Sequence, residues 1–221
     1  MLERIKNVLG GRRREPAPLE PLHGWAQGRS LTFTDVTPGQ FALYGQLDGW
    51  AFRAECGPSS RSFIHGIELR ARHGLGFRLP GAVVIMNRAL KRQLEVQANA
   101  LYSDYIDDLQ TSALELPEEI RWLSLYRDMG WSGPEDAFWA AFAVMTDAPE
   151  LARHWLTEDM IGALMRTLPH RPADTPFLLM LMRGNTYLRM QVNPSDDQTS
   201  LVGALELVER SSKRARAAPS P

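Results

Sequence analysis

The chain has 221 residues, 44% of them hydrophobic and 23% charged, with 25 Lys and Arg against 26 Asp and Glu. A formal charge of −1 excludes an overall basic field of the kind that holds a nucleic-acid backbone, so no nucleic-acid partner is predicted. The single cysteine excludes an internal disulfide framework and favours a reducing, cytoplasmic compartment. No uninterrupted apolar run reaches the ~18 residues of a membrane-spanning helix.

The first 24 residues are predicted to form a flexible basic segment. In MLERIKNVLGGRRREPAP the arginines Arg12, Arg13 and Arg14 follow the apolar residues, which is the reverse of the order in a secretory signal. Three roles stay open for these arginines: contact with an anionic membrane surface, contact with a partner, or exposure to water alone.

Strand character follows from residue 30 to residue 72 and predicts an antiparallel meander. Asp48-Gly49 indicates a two-residue hairpin turn, which sets Leu47 opposite Trp50. Because side chains alternate along a strand, one face should be apolar and packed on helices, and the other charged and open to water. The charged face is predicted to carry Tyr44, Gln46, Arg53, Glu55, Glu68, Arg70 and Arg72.

A second turn, centred on Ser59-Ser60, would place Cys56 and His65 on the same apolar face of this meander. A thiol beside an imidazole can act as a nucleophile, because the imidazole can accept the proton of the thiol. An apolar face, however, raises the pKa of a thiol and leaves it unreactive, and no motif supplies an oxyanion site. We therefore predict no catalytic residues and keep Cys56 and His65 as the candidates for an alternative hydrolase or transferase.

The turn GPSSR (57–61) is a candidate anion site. Ser59, Ser60 and Arg61 would offer hydroxyl groups, backbone N–H groups and a positive charge. The same composition is what an ordinary polar hairpin loop requires, and this alternative is the favoured one.

Helices should dominate the middle of the chain. A strand at 81–87 leads into a long helix from about residue 88 to residue 110, and residues 132–142 are predicted to be helical. Further helices are predicted to begin at Pro117, Asp147 and Thr157.

The long helix carries a candidate metal site. Asp104, Asp107 and Asp108 stand at i, i+3 and i+4, so their carboxylates share one side of the helix and could bind a hard cation. No Glu-x-x-His pair accompanies them, and a solvated acidic helix surface is the favoured interpretation. No metal and no cofactor is predicted.

Residues 177–192 predict a second hairpin, centred on Gly184-Asn185. One face of it is a typical core face. The opposite face is too apolar for full exposure, and its candidate partner-binding residues are Met180, Met182, Tyr187 and Arg189. The alternative, which we favour, is that the helical middle or the last helix covers this face within one chain.

The stretch SDDQTSLVGALELVERSSKR (195–214) predicts a last helix that should bury Leu201, Leu205 and Leu207 or Val208. The order of elements predicts an α+β fold, with an antiparallel meander packed on a helical middle segment and followed by a C-terminal hairpin and helix. We expect a single domain at 25–209 and a disordered basic tail at 210–221.

The stretch FWAAFAVMTDAPELARHWLTEDMIGALM (138–165) resembles a bacterial family of membrane-associated proteins of unknown function. In that family an aromatic-rich strand ends in an Asp-Pro type turn and leads into a helix, a Leu-Thr-Pro cap, another helix and a hairpin. The resemblance covers about a third of the chain, and Glu158 stands where the family favours proline. It implies a fold and transfers no catalytic residues.

The sequence therefore predicts a non-catalytic binding or scaffold protein whose partner is another protein or a second copy of itself. Two alternatives remain: the enzyme at Cys56 and His65, and a peripheral membrane adaptor tethered by the N-terminal segment.

Overall fold

The structure, a computed structural model, describes residues 20–107, 117–167, 172, 174–193 and 196–217, with the side chains of 102–107 excepted. Nine strands in this part of the chain form one antiparallel sheet with the order β1-β2-β3-β4-β9-β8-β5-β7-β6. The strands are β1 (Thr32–Thr37), β2 (Gln40–Leu47), β3 (Trp50–Pro58), β4 (Ile67–Gly74), β5 (Val83–Asn87), β6 (Arg127–Met129), β7 (Phe142–Thr146), β8 (Phe177–Met182) and β9 (Asn185–Val192).

Helices lie on both faces of the sheet. They are α1 (Glu20–Gln27), α2 (Arg88–Asp107), α3 (Glu118–Leu125), α4 (Asp136–Ala141), α5 (Pro149–Trp155), α6 (Glu158–Thr167) and α7 (Gln198–Ala217). On one face α1 and α4 to α7 build what we name the first core, which runs under strands from β2 to β7. On the other face α2 and α3 build the second core over β5, β7 and β8. The α+β class predicted from the sequence is confirmed.

The first hairpin forms as predicted. Leu47 pairs with Trp50, and Asp48 and Gly49 have φ of 52° and 81°, the left-handed conformation that a type I′ turn requires at both positions. The buried stripe predicted for the last helix is also confirmed, because Leu201, Leu205, Leu207 and Val208 are all buried in α7.

The turn predicted at Ser59-Ser60 is wrong. Strand β3 continues to Pro58, which pairs with Ile67, so Cys56 lies opposite Leu69 instead of Phe63. Phe63 and Ile64 are adjacent apolar residues, and both enter the second core instead of alternating along a strand. Because these two side chains are buried in the second core, residues 59–66 form a loop and not part of a strand.

The second hairpin turns one residue earlier than predicted. Arg183 and Gly184 have φ of 51° and 75°, and Met182 pairs with Asn185. The shift leaves the two faces of the hairpin unchanged, so the predicted core face is the observed one.

Two strands, β6 and β7, escape the sequence pattern. The helix predicted at 132–142 ends at Ala141, and the next five residues form β7, which is buried throughout. A strand buried on both faces has no polar alternation, and its apolar run is continuous with the apolar residues of α4.

Helices extend into both predicted terminal segments. Helix α1 begins at Glu20 and buries Leu22 completely, so the flexible segment predicted at 1–24 does not extend to residue 24. Helix α7 continues to Ala217 and buries Ser211, Ser212 and Ala215, so the tail predicted at 210–221 is helical as far as residue 217. Residues 1–19, with Arg12, Arg13 and Arg14, and residues 218–221 lie outside the described residues.

Candidate functional site

The candidate pair of Cys56 and His65, kept for the alternative enzyme function, does not come together. Cys56 is 3% exposed in the first core, with its Sγ 3.7 Å from the backbone oxygen of Gly39, and burial raises the pKa of its thiol to about 11. His65 is exposed in the loop before β4, where its backbone N–H donates to Gln191. The two side chains therefore lie in different environments, and they make no nucleophile–base pair.

The polar loop at Ser59, Ser60 and Arg61 contacts carboxylates. Ser59 Oγ donates to Glu68 Oε2 at 2.9 Å, and Arg61 Nη1 donates to Glu119 Oε2 at 3.0 Å. Arg61 also lies 3.6 Å from a carboxylate oxygen of Glu118. The donors of this loop join neighbouring elements, and this geometry does not favour an anion there.

The candidate metal site lies outside the described side chains. Asp104 and Asp107 stand on α2 at positions whose side chains are outside the described set, and Asp108 lies beyond the described residues. Elsewhere in the described chain no group of three or more His, Cys, Asp or Glu side chains could hold a metal ion. The site on these aspartates remains a prediction from sequence.

The predicted partner face divides into two parts. Met180 and Met182 are 5% and 8% exposed, and they pack in the second core among residues of α2 and α3, such as Leu90 and Trp122. They are therefore not available to a partner, and the alternative interpretation, coverage by the helical middle, is the one observed. Tyr187 and Arg189 lie on β9 at the edge of that covered area.

Beyond this edge lies a surface that no described helix covers. It is the face of β1 to β4 opposite the first core, together with the adjoining part of β9, and we name it the open half of the sheet. Two rows of side chains cross its strands. The first row is Tyr44, Arg53, Arg72 and Tyr187, and the second is Ala42, Glu55, Arg70 and Arg189.

Arginines face each other across neighbouring strands of this surface. Arg53 lies directly opposite Arg72 between β3 and β4, and Arg70 lies directly opposite Arg189 between β4 and β9. Like charges at directly opposite positions destabilise a sheet unless counter-charges intervene. These facing pairs concentrate positive charge on the surface.

Two glutamates hold these arginines in place. Glu55 accepts hydrogen bonds from the Nε atoms of Arg53 and Arg70, each at 2.6 Å. Glu68 is fully buried and accepts from Nη1 of Arg189 at 2.6 Å. Partial burial raises the pKa of Glu55, but the hydrogen bonds from Arg70 and Arg53 outweigh burial and the net pKa is lowered. Both glutamates thus fix the positions of guanidinium groups in the array.

Arg72 has no carboxylate partner among the described side chains. Its Nε donates to Asn185 Oδ1 at 2.8 Å, and its guanidinium carbon lies 5.7 Å from the ring centroid of Tyr187. Arg53 is open to solvent, with 73% of its side chain exposed. The remaining N–H groups of these two arginines can donate to a bound acceptor.

The open half presents charged and hydrogen-bonding side chains. Its described side chains include no cysteine or histidine that could act as a nucleophile or base at neutral pH. Its deepest part is a depression of about 220 Å³ lined by the four arginines with Glu55 and Tyr187. Sequence analysis predicted the charged face of β2 to β4, but it missed the approach of β9, because no local pattern specifies pairing between strands so far apart in the chain.

Comparison with known proteins shows a shared fold. No protein-family model matches the chain, and no curated protein matches it significantly. A crystal structure of the mycobacterial trehalose monomycolate transport factor A, TtfA, is similar, with 11% identity and a TM-score of 0.50 over 92% of this chain and 97% of that chain. Among the described residues, no helix is both long enough and apolar enough to cross a membrane.

Proposed function

We propose that this protein is a binding or adaptor protein without a catalytic centre of its own, and that its open half binds an acidic segment of a partner protein. The observation that carries the proposal is the array of four guanidinium groups against two carboxylates, in which like charges lie directly opposite each other. A carboxylate-rich partner would relieve that repulsion.

The composition of the surface suits a protein interface. Arginine and tyrosine are enriched among the residues that contribute most to binding energy, and the first row offers two of each. Glu55 and Glu68 hold the guanidinium groups of Arg53, Arg70 and Arg189 in place before a partner arrives, which reduces the entropy lost on binding. A cytoplasmic location, predicted from the single cysteine, is part of this proposal.

The fold similarity is compatible with an adaptor role. TtfA is named as a transport factor for trehalose monomycolate, and that description belongs to TtfA. It supports the class of function proposed here, a factor that assists by binding, and it identifies no cargo for this chain.

The test uses a fluorescein-labelled oligoglutamate peptide as the acidic probe. We expect fluorescence anisotropy to show binding that weakens as salt is added, because surface charge pairs are screened. The double variant Arg53→Glu/Arg72→Glu should reduce the affinity at least about tenfold, since each lost charge-assisted hydrogen bond contributes on the order of 1.5–3 kcal/mol. The matched control is Arg92→Glu/Arg166→Glu, at two exposed arginines on α2 and α6.

Equal affinities in the wild type and in both double variants would contradict the proposal. Circular dichroism and thermal melting of each variant establish that any loss of binding comes from the surface and not from unfolding.

A second candidate function is a peripheral membrane adaptor tethered by residues 1–14. The features that favour it are Arg12, Arg13 and Arg14 in the sequence and the lipid-linked name of the structural neighbour. Cosedimentation with vesicles containing anionic lipid should require residues 1–14 if this function operates. Equal cosedimentation of the full chain and of a chain lacking residues 1–14 would rule it out.

A further inference from the structure

A cavity of about 550 Å³ lies away from the open half, where α3, the loop between β4 and β5 and the turn between β8 and β9 meet. Each of these three elements contributes an arginine to its lining: Arg121, Arg78 and Arg183 respectively. Its volume falls within the range of about 300–1,000 Å³ that small-molecule sites occupy.

Backbone contacts hold two of these arginines, Arg78 and Arg183, close to each other. The N–H of Leu75 donates to the backbone oxygen of Gly184 at 2.9 Å, and the backbone oxygen of Phe77 comes within 2.6 Å of where a Cβ on Gly184 would lie. A side chain at position 184 would therefore separate the loop from the turn. The close approach keeps Arg78, next to Phe77, and Arg183, next to Gly184, at the edge of one cavity.

The three guanidinium groups have no hydrogen-bond or ion-pair partner among the described side chains. By contrast, Arg29, Arg61 and Arg189 each contact a carboxylate. The Nε of Arg121 is buried and has no acceptor. A buried donor without a partner is unfavourable, and an anionic oxygen in the cavity would satisfy it.

The carboxylates that line the cavity have other partners. Asp147 Oδ1 accepts from the backbone N–H of Ala82 at 2.7 Å, and Glu118 lies 3.6 Å from Arg61. Burial, and to a lesser extent Asp147, raises the pKa of Tyr126, so its hydroxyl keeps its proton at neutral pH and can donate to a ligand.

The rest of the lining is apolar. Leu79, Trp122, Leu125 and Met182 also line the cavity, and Leu125 is 67% exposed although it is a large apolar residue. Three cationic groups beside an apolar wall suit a ligand that has an anionic end and an apolar end.

We propose that this cavity binds a phosphate monoester, with its phosphate oxygens at Arg78, Arg121 and Arg183 and its apolar group on Trp122 and Leu125. Arginines from three separate elements match a tetrahedral anion that offers several oxygens, and guanidinium groups bind phosphate with directed hydrogen bonds. The phosphate can come from a soluble phosphorylated compound or from the headgroup of a lipid.

The test measures the binding of phenyl phosphate to the full chain by isothermal titration calorimetry. We expect Arg121→Gln and Arg183→Asn each to weaken binding at least about tenfold, because each removes charge-assisted hydrogen bonds. Asparagine suits position 183, since φ is 51° there. Arg92→Gln, on the exposed surface of α2, is the matched control and should bind as the wild type does.

Inorganic phosphate should bind more weakly than phenyl phosphate, because it leaves the apolar wall uncovered. The proposal is overturned if the wild type does not bind phenyl phosphate, or if Arg121→Gln and Arg183→Asn bind it as tightly as the wild type. If Arg121→Gln fails to fold, Arg183→Asn at the exposed turn decides the outcome.

A second arm distinguishes the two sources of the phosphate. Vesicles of phosphatidylcholine with phosphatidic acid are compared with vesicles of phosphatidylcholine alone. Cosedimentation that needs both phosphatidic acid and Arg183 supports the site and identifies a lipid headgroup. Binding of phenyl phosphate without cosedimentation supports the site and identifies a soluble ester. The Arg53→Glu/Arg72→Glu variant should bind phenyl phosphate normally, which separates this site from the open half.

Discussion

Cys56 lies among apolar residues of the first core, and its thiol meets a backbone oxygen and no base. With a pKa of about 11, only about one part in ten thousand of the thiol is ionised at pH 7. Because the thiolate is the reactive form, both burial and protonation protect this residue.

We predict that native Cys56 resists thiol reagents. A disulfide reagent that releases a coloured thiol should label the native protein only as fast as the protein unfolds, and should label one equivalent at once in denaturant. The Ser60→Cys variant, with an exposed thiol in the loop after β3, is the control and should gain one rapidly labelled equivalent. Rapid labelling of the native wild type would show an accessible thiol and reopen the enzyme hypothesis.

His73 is a buried histidine in β4, and it pairs with Phe52 of β3. Its Nε2 lies 2.9 Å from the backbone oxygen of Leu47, so the neutral ring donates there from Nε2. Burial lowers the pKa of His73, and nearby Arg216 lowers it further, whereas the bond to Leu47 and the charges of Asp48 and Glu209 raise it.

This lowered pKa predicts a pH dependence of stability. The unfolded chain binds the proton more readily, so the contribution of His73 is fully present above about pH 6.5 and is lost as pH falls towards its lower folded pKa. Urea denaturation at a series of pH values should show a fall in the free energy of unfolding below pH 6.5 that is smaller in His73→Gln. The control, His65→Gln at an exposed site, should keep the slope of the wild type. Equal slopes in all three proteins would contradict the prediction.

At the scale of elements, helices α2 and α3 form a second layer on the sheet. They cover the side of β8 that carries Leu178, Met180 and Met182, so this strand is buried on both faces. An apolar hairpin face in a sequence therefore has two explanations, a second layer or a partner, and in this chain the second layer accounts for it.

We predict that Met182→Lys lowers the free energy of unfolding by roughly 2–5 kcal/mol, because it places an unpaired charge in the second core. Chemical denaturation measures this change, and light scattering should give the same molar mass as the wild type. Val96→Lys, at a position on α2 that is 68% exposed, is the control and should change little. Unchanged stability with a lower molar mass would restore Met182 as an interface residue.

The turns show which elements a sequence specifies. Asp48-Gly49 is predictable because both residues tolerate positive φ, and nothing else in the segment competes with them. At 59–66 the polar turn residues predict a tight turn, but burial of Phe63 and Ile64 in the second core overrides them. Strand β7 follows α4 without a polar break, and only pairing with β5 and β6 defines it. The residue types in a short segment predict tight turns, but burial of neighbouring side chains in the folded protein determines which of these turns form.

At the scale of the whole molecule, α7 connects elements from both ends of the chain. Trp155 of α5 donates its Nε1–H to the backbone oxygen of Ser211 at 3.1 Å, and Arg216 donates to the backbone oxygen of Gly74 at 3.1 Å. Arg29, just after α1, donates to Glu209 at 2.8 Å. The last turns of α7 are thus part of the first core and not a tail.

We predict that deletion of residues 211–221 destabilises the protein by roughly 3 kcal/mol or more, since it removes buried Ala215 and leaves Trp155 without its acceptor. Thermal and chemical denaturation measure the loss. Deletion of residues 218–221 alone is the control and should leave the stability of the described fold unchanged. Equal stability of the two truncated chains would show that the end of α7 contributes nothing.

The candidate site was predictable in part at this scale. The alternation of β2 to β4 places Arg53, Glu55, Arg70 and Arg72 on one charged face without knowledge of the fold. The pairing of β4 with β9, which adds Tyr187 and Arg189, depends on how a meander and a distant hairpin meet. The cavity lined by Arg78, Arg121 and Arg183 was not predictable, because these arginines come from a loop, a helix and a turn that share no sequence pattern.

The pairing of β4 with β9 joins the meander of β1 to β4 to the rest of the sheet. Arg189 and Glu68 meet across it although they stand 121 positions apart in the chain. Contacts between such distant residues are slow to form, because a long stretch of chain must first be brought together. The full arginine array therefore exists only after this long-range closure, so the proposed recognition of an acidic partner would begin only once the sheet is complete.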